Sequence, residues 1–343
     1  MHFSWKAKGS GRVAQAVAVL AGVLLSISAI ACGGTRAGSD AVASDVPLAQ
    51  PAPPPSQTGG FNGARAWSYL VKIVDFGPRP PGSANIQREQ RYLASELNSF
   101  GCKVSQDHFQ AETGIGLLHM DNIIAKIPGK SPGIILLLTH YDTLRLPGFV
   151  GADDGGSSTA MMLEMAHDLC GHPGPLAVWI AFLDGEEDQT NFTTAQQAQT
   201  VWSDSNALFG SRELAAKMEL SGKLKQVKAV MLADMIGDSH LRIDKDSNST
   251  PWLVNLVWGV ADHLGYSKYF LTKSMAVDDD HIPFLKKGVS AIDVIDFNYP
   301  WWHTVQDTLN KCSPHSLAVV GHVFLESIKA LDKKFAPRAP AKT

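Results

Sequence analysis

The chain has 343 residues, 45% of them hydrophobic and 18% charged, which is enough apolar material for one core of roughly 270 residues. Its formal charge is only −3, and no basic run is interleaved with aromatic residues, so the electrostatic footprint of a nucleic-acid binder is absent from the sequence.

The N-terminus reads as an export signal. Lys6, Lys8 and Arg12 form a basic start, residues 13–31 are apolar, and Ala29-Ile30-Ala31 precede Cys32 and Gly33-Gly34. This run resembles the lipid-attachment signal of bacterial lipoproteins, which implies a lipid on Cys32 and anchorage in the cell envelope on the periplasmic side. Plain secretion or an uncleaved anchor is the alternative. Residues 33–60, rich in Ala, Pro, Ser and Gln, are expected to be a tether, because they cannot bury enough apolar surface to offset their ordering entropy. The folded domain is expected over residues 61–336, followed by a tail at 337–343.

Within that domain helical periodicity covers residues 64–76 and 85–100, with the loop Gly77-Pro78-Arg79-Pro80-Pro81-Gly82 between them. Strands are predicted at 122–127, 133–139, 176–183, 227–235 and 289–295, several of them continuous apolar runs suited to a sheet covered on both faces. Helices are predicted at 157–169, 211–219, 251–264 and 313–331. The alternation gives an α/β fold: a three-layer sandwich with a mixed, mostly parallel central sheet and helices on both faces. Of the three cysteines after Cys32, namely Cys102, Cys170 and Cys312, at most two pair.

Five potential metal ligands stand at five separate places: His140, Asp154, Glu187, Asp234 and His303. Most follow an apolar run, where α/β folds place their sites. Imidazole and carboxylate ligands converging from different segments suit a transition metal. Glu186, beside Glu187, is the further carboxylate that acyl-transfer or hydrolytic chemistry needs to move a proton.

Four motifs, Thr139-His140-Tyr141-Asp142-Thr143, Gly151-Ala152-Asp153-Asp154, Asp184-Gly185-Glu186-Glu187 and His303-Thr304-Val305-Gln306-Asp307-Thr308, resemble in that order the metal motifs of the zinc-dependent aminopeptidase superfamily. Within it the chain is similar to the glutaminyl cyclases. That similarity rests on Ala160-Met161-Met162-Leu163-Glu164, Leu208-Phe209-Gly210-Ser211-Arg212, the run from Asp279 to Leu285, and Trp302 directly before His303. The resemblance implies one zinc on Asp154, Glu187 and His303, with Glu186 as proton shuttle and Asp234 and Asp279 in a network beside it. Trp302 and Trp202 would wall a pocket for the N-terminal residue of a peptide or protein substrate. It further implies closure of an N-terminal glutamine to pyroglutamate with loss of ammonia. A two-zinc aminopeptidase, taking its second ion on His140 and Asp234, is the competing expectation.

Two features depart from the animal cyclases in that comparison. The polar stretch 188–200 is about ten residues longer, and Asp293 stands in place of a histidine. If Asp293 faces Asp279, one of the two carboxylates should hold a proton.

Overall fold

The computed structural model describes residues 50–335 apart from Asp204, all within one compact unit. The expectations for residues 1–32, for most of the tether and for the tail 337–343 lie outside the described residues. No helix among the described residues is long and apolar enough to cross a membrane.

Helices α1 (Gly63–Asp75) and α2 (Ala84–Ser99) open the domain. Asn62 Oδ1 accepts the Arg65 N–H at 3.0 Å and Ser83 Oγ the Ile86 N–H at 3.1 Å, each quieting a helix-end donor that has no partner inside its helix. The strands β1 (Lys103–Thr113), β2 (Gly116–Ile127), β3 (Ile134–His140), β4 (Ala177–Leu183), β5 (Val227–Asp234) and β8 (Ala291–Ile295) form one sheet in the order β1-β2-β4-β3-β5-β8. β1, β2 and β4 pair antiparallel, and β4, β3, β5 and β8 run parallel. A separate parallel pair is made by β6 (Ile243–Asp246) and β7 (Phe270–Met275).

Side chains alternate across the pleat, and both faces of the sheet are apolar. Ile123, Leu137, Ile180, Met231 and Val294 share one core cluster with residues of α1, α2, α3 (Ser158–Leu169), α6 (Pro251–His263) and α8 (Pro314–Phe335). Ile124, Leu136, Leu138, Val230 and Leu232 face the other way, into a cluster with Leu214, Ala215 and Met218 of α5 (Phe209–Leu220) and Phe284 of α7 (Ile282–Leu285). The three-layer, mostly parallel architecture expected from the sequence is what the chain adopts. The remaining short helix is α4 (Ala195–Ala198).

Besides β6, β7, α4 and α7, for which no strand or helix was expected, three features differ from the expectation or complete it. Residues 50–60 belong to the fold and not to the tether: Ser313 Oγ donates to the Gln50 carbonyl at 3.0 Å, Thr58 is fully buried and donates to the Phe61 carbonyl at 2.6 Å, and Ala52 packs against the core. β1 was not anticipated, because it is an edge strand whose polar residues alternate with only a few half-buried apolar ones. Cys102 and Cys170 form a disulfide joining the start of β1 to the end of α3, and Cys312 remains a buried thiol.

Candidate metal centre and active site

The parallel strands bring their carboxyl ends to one place. His140 is the last residue of β3 and Asp234 the last of β5, while Glu186 and Glu187 follow β4 by three and four residues. Asp154 enters from a tight segment between β3 and α3 that breaks helical geometry at Asp154 and Gly155. Gly155 sits at φ 78°, and a Cβ there would come within 2.6 Å of the Asp142 carbonyl oxygen. Only glycine lets the chain turn there without a clash.

Asp154, Glu187 and His303 each offer a ligand atom within 4.8 Å of the others, and all three are buried. His303 Nε2 lies 3.1 Å from Glu187 Oε2 and 3.6 Å from Asp154 Oδ2. Both of those oxygens are buried without a hydrogen-bond partner. His303 Nδ1 donates to the Ala198 carbonyl at 2.7 Å, which turns Nε2 toward the two carboxylates. Two orphaned carboxylate oxygens and an oriented imidazole fit a divalent zinc-type cation. Burial would lower His303, but Glu187 and Asp154 outweigh it and push it up to about 9. Glu187 is pushed up to about 7, chiefly by burial and next by Asp154.

A second set shares one member of the first. His140, Asp154 and Asp234 also offer atoms within 4.8 Å of one another. Here, however, His140 Nε2 and Asp234 Oδ1 are hydrogen-bonded at 2.9 Å. Burial would lower His140, yet Asp234, Asp142 and Asp154 hold it well above its ordinary value.

The clamps around these ligands include residues to which the sequence had assigned no role. Asp307 accepts the backbone N–H groups of Asp153 and Asp154 at 2.9 and 3.1 Å and the Tyr299 hydroxyl at 2.7 Å. Asp142 accepts the N–H groups of Glu186 and Glu187 at 3.2 and 3.4 Å. Both aspartates lie inside quoted motifs, so their positions were visible although their partners were not. The Ala198 carbonyl left no trace in the sequence, since every residue carries one.

Glu186 faces the same cleft and is buried. Burial raises its carboxyl well above the usual range, Asp279 and Glu187 raise it further, and His140 opposes them. Its Oε2 stands 3.9 Å from His140 Nδ1. Asp279 is buried and pushed up to about 7, by burial first and then by Asp234. Asp293 is fully buried on β8 with neither carboxylate oxygen hydrogen-bonded. Burial raises it well above the carboxylate range, and Asp279 is the largest neighbouring charge acting on it.

The ligands open onto a cleft of about 270 Å³ lined by Glu186, Asp279, Trp202, Phe297 and Trp302, among others. Trp302 stacks on the His303 ring, with centroids 4.0 Å apart and planes 25° apart, and tilts against Phe297 at 4.9 Å. His303 has φ 54°, a left-handed conformation uncommon for a side-chain-bearing residue. Trp202 also lines the cleft and is 38% exposed. Of the sequence-designated residues, Asp154, Glu186, Glu187, Asp234, Asp279, Trp202, Trp302 and His303 all line this one cleft, and His140 is joined to it by its hydrogen bond to Asp234.

A mostly parallel α/β sandwich with carboxylate and imidazole ligands at its strand ends defines a metal-dependent enzyme of the aminopeptidase type. The chain belongs to peptidase family M28, whose pattern matches residues 122–328. It is 29% identical over 309 residues to the glutaminyl-peptide cyclotransferase-like protein of Bos taurus, covering 78% of this chain and 76% of that one. Among solved structures, the glutaminyl cyclase of an Acidobacteriales bacterium is 40% identical with a TM-score of 0.73, over 80% of this chain and 96% of the other. The Porphyromonas gingivalis glutaminyl cyclase is 29% identical with a TM-score of 0.70, over 80% and 99%.

Proposed function

We propose that this chain is a glutaminyl-peptide cyclotransferase that closes the N-terminal glutamine of peptides or proteins to pyroglutamate and releases ammonia. The observation that carries the reading is the aromatic slot beside the ligand set: Trp302 stacked on His303, with Glu186 in the same cleft. Such a slot suits the flat carboxamide side chain of glutamine, and the carboxylates around it suit the substrate's α-ammonium group.

Asp154, Glu187 and His303 hold one zinc ion in this reading. When bound, zinc supplies Lewis-acid polarisation of the γ-carboxamide carbonyl. Glu186 takes a proton from the α-amine as its nitrogen bonds to the carbonyl carbon (Cδ) of the γ-carboxamide, and returns that proton to the amide nitrogen as the Cδ–Nε2 bond breaks and ammonia leaves. No water is consumed. Trp302 and Trp202 hold the side chain so that amine and carbonyl, already in one molecule, reach a near-attack geometry. Asp234 and Asp279 keep Glu186 in a field of shared protons.

One observation favours a second reading, a dinuclear aminopeptidase: His140, Asp154 and Asp234 converge closely enough to hold another ion. Against it, the His140–Asp234 hydrogen bond satisfies that pair without metal. The test is to incubate the zinc-loaded protein with a Gln-initiated peptide and, separately, with a leucyl amide. The expected result is a mass loss of about 17 Da from the Gln peptide, the ammonia of the intramolecular closure, and an intact leucyl amide. Free leucine with an unchanged Gln peptide would overturn the proposal.

The protein works outside the cytoplasm in this proposal, exported by its N-terminal segment and held by a lipid on Cys32. The sequence pattern supports that placement, and so does the Cys102–Cys170 disulfide, since such bonds persist in oxidising compartments.

A further inference from the structure

The polar stretch after Glu187 carries a small apolar anchor. Phe192 is buried and clusters with Leu144, Leu146, Phe149 and Ala198, and its N–H donates to the Arg145 carbonyl at 3.1 Å. Beyond it, Thr194 caps the four-residue helix α4. The turn that follows sends backbone bonds back to the Ala195 and Gln197 carbonyls. The Ala198 carbonyl, the last of this helix, receives the His303 Nδ1 proton at 2.7 Å. The next residue, Gln199, donates from Nε2 to the Trp302 carbonyl at 2.8 Å. Gln199 and the three residues after it, through Val201 and Trp202, line the cleft.

Two adjacent residues of one surface segment therefore hold two adjacent residues of the site, at a point where His303 occupies an unfavourable left-handed conformation. We propose that residues 192–202 form a strap that positions His303 for its metal ion, with Gln199 as the positioning residue that fastens it and Phe192 as its anchor. The tie at Gln199 fixes the Trp302 carbonyl and, through it, the register between the Ala198 oxygen and the imidazole. Released, the strap lets His303 turn its Nε2 away from Asp154 and Glu187. Because Val201 and Trp202 ride on the same strap, metal retention and the shape of the substrate wall vary together.

The inference rests on the metal reading of His303 and is independent of which substrate is turned over. The experiment uses zinc-loaded full chain and follows transfer of zinc to a chromogenic chelator, with no substrate present. Gln199→Ala and the isosteric Gln199→Glu, which has no N–H to donate, are both expected to release zinc 10–100-fold more readily than the unmodified protein, the usual effect of losing an outer-shell partner. Phe192→Ala should act in the same direction. Metal-free unfolding temperatures of the two Gln199 variants should match that of the unmodified protein, which separates positioning from general stability. Zinc retention unchanged in both Gln199 variants would overturn the strap, as would a loss of retention matched by an equal loss of metal-free stability. Failure of the Gln-peptide assay with these zinc-release results intact would instead count against the cyclase reading alone.

Discussion

Glu186 and His303 are chemically different from their neighbours because of what each touches. His303 has one nitrogen committed to a carbonyl and the other aimed at two carboxylates, whereas Glu186 has no ligand partner and a carboxyl raised by burial. A carboxyl that keeps its proton more readily than usual is suited to accept one from an amine and pass it on near neutral pH. Glu186→Gln is expected to leave zinc content unchanged while kcat falls by about 10²–10⁴; metal analysis beside a coupled ammonia assay reads both, and full turnover in a zinc-loaded variant would refute the role. His303→Ala should strip the ion, whereas His140→Ala should leave about one zinc per chain, because His140 is already satisfied by Asp234. Retention of two ions in the unmodified protein, and loss of both on either change, would move the function to the aminopeptidase. These residues were readable in the sequence because ligand chemistry demands particular side chains in particular motifs. What Ala198 and Gln199 do was not readable, since one acts through a backbone oxygen and the other depends on a loop whose path no periodicity records.

The buried elements were equally legible for a physical reason. β3, β4 and β5 are covered on both faces, so they read as unbroken apolar runs, and the structure places them within a residue or two of expectation. β1 escaped notice because an edge strand needs few apolar residues, and its exposed positions are polar. Residues 50–60 were misjudged because composition measures what a segment could bury on its own. It does not register that α8 and the Phe61 region offer a surface to pack against. The disulfide fastens that edge strand to the interior: Cys102 and Cys170 are 68 residues apart and link the approach to β1 with the end of α3. A closed loop of this length restricts the unfolded chain and contributes about 2–4 kcal/mol. Reduction should therefore lower the melting temperature by roughly 3–7 °C for a domain of this size. Neither cysteine lines the cleft, so activity at 25 °C should survive reduction. Calorimetry with and without reductant checks the first expectation, and loss of turnover in the still-folded reduced protein would contradict the second.

Across the whole molecule, the site stores ionisable groups whose folded-state protons are held too tightly. Burial pushes Glu187, Asp279 and Asp307 up to about 7, with neighbouring carboxylates adding to the effect. His303 is pushed up to about 9 by Glu187 and Asp154 against the opposing effect of burial. Raised acids and raised histidines act with the same sign: the folded metal-free state binds more protons than the unfolded chain, so their contribution to stability is present at low pH and lost as pH climbs through the folded values. Groups shifted the other way work lower on the scale. Asp246 is lowered because His281 and Ser249 outweigh burial, and His315 and His322 are lowered by burial, so their effects are complete near the ordinary histidine value. Between pH 6 and 9 the raised groups decide the slope. Zinc-stripped protein should accordingly lose roughly 10 °C of melting temperature over that range. The bound ion replaces those protons and compensates the carboxylates, so the zinc-loaded protein should stay nearly flat, and the stabilisation gained from zinc should grow with pH. Scanning calorimetry of stripped and loaded protein at several pH values makes the comparison directly. A melting temperature of the stripped protein that rises from pH 6 to pH 9 would show that the acids around Asp154 and Glu187 are already neutralised by the fold itself, and that the cleft was not built around a cation.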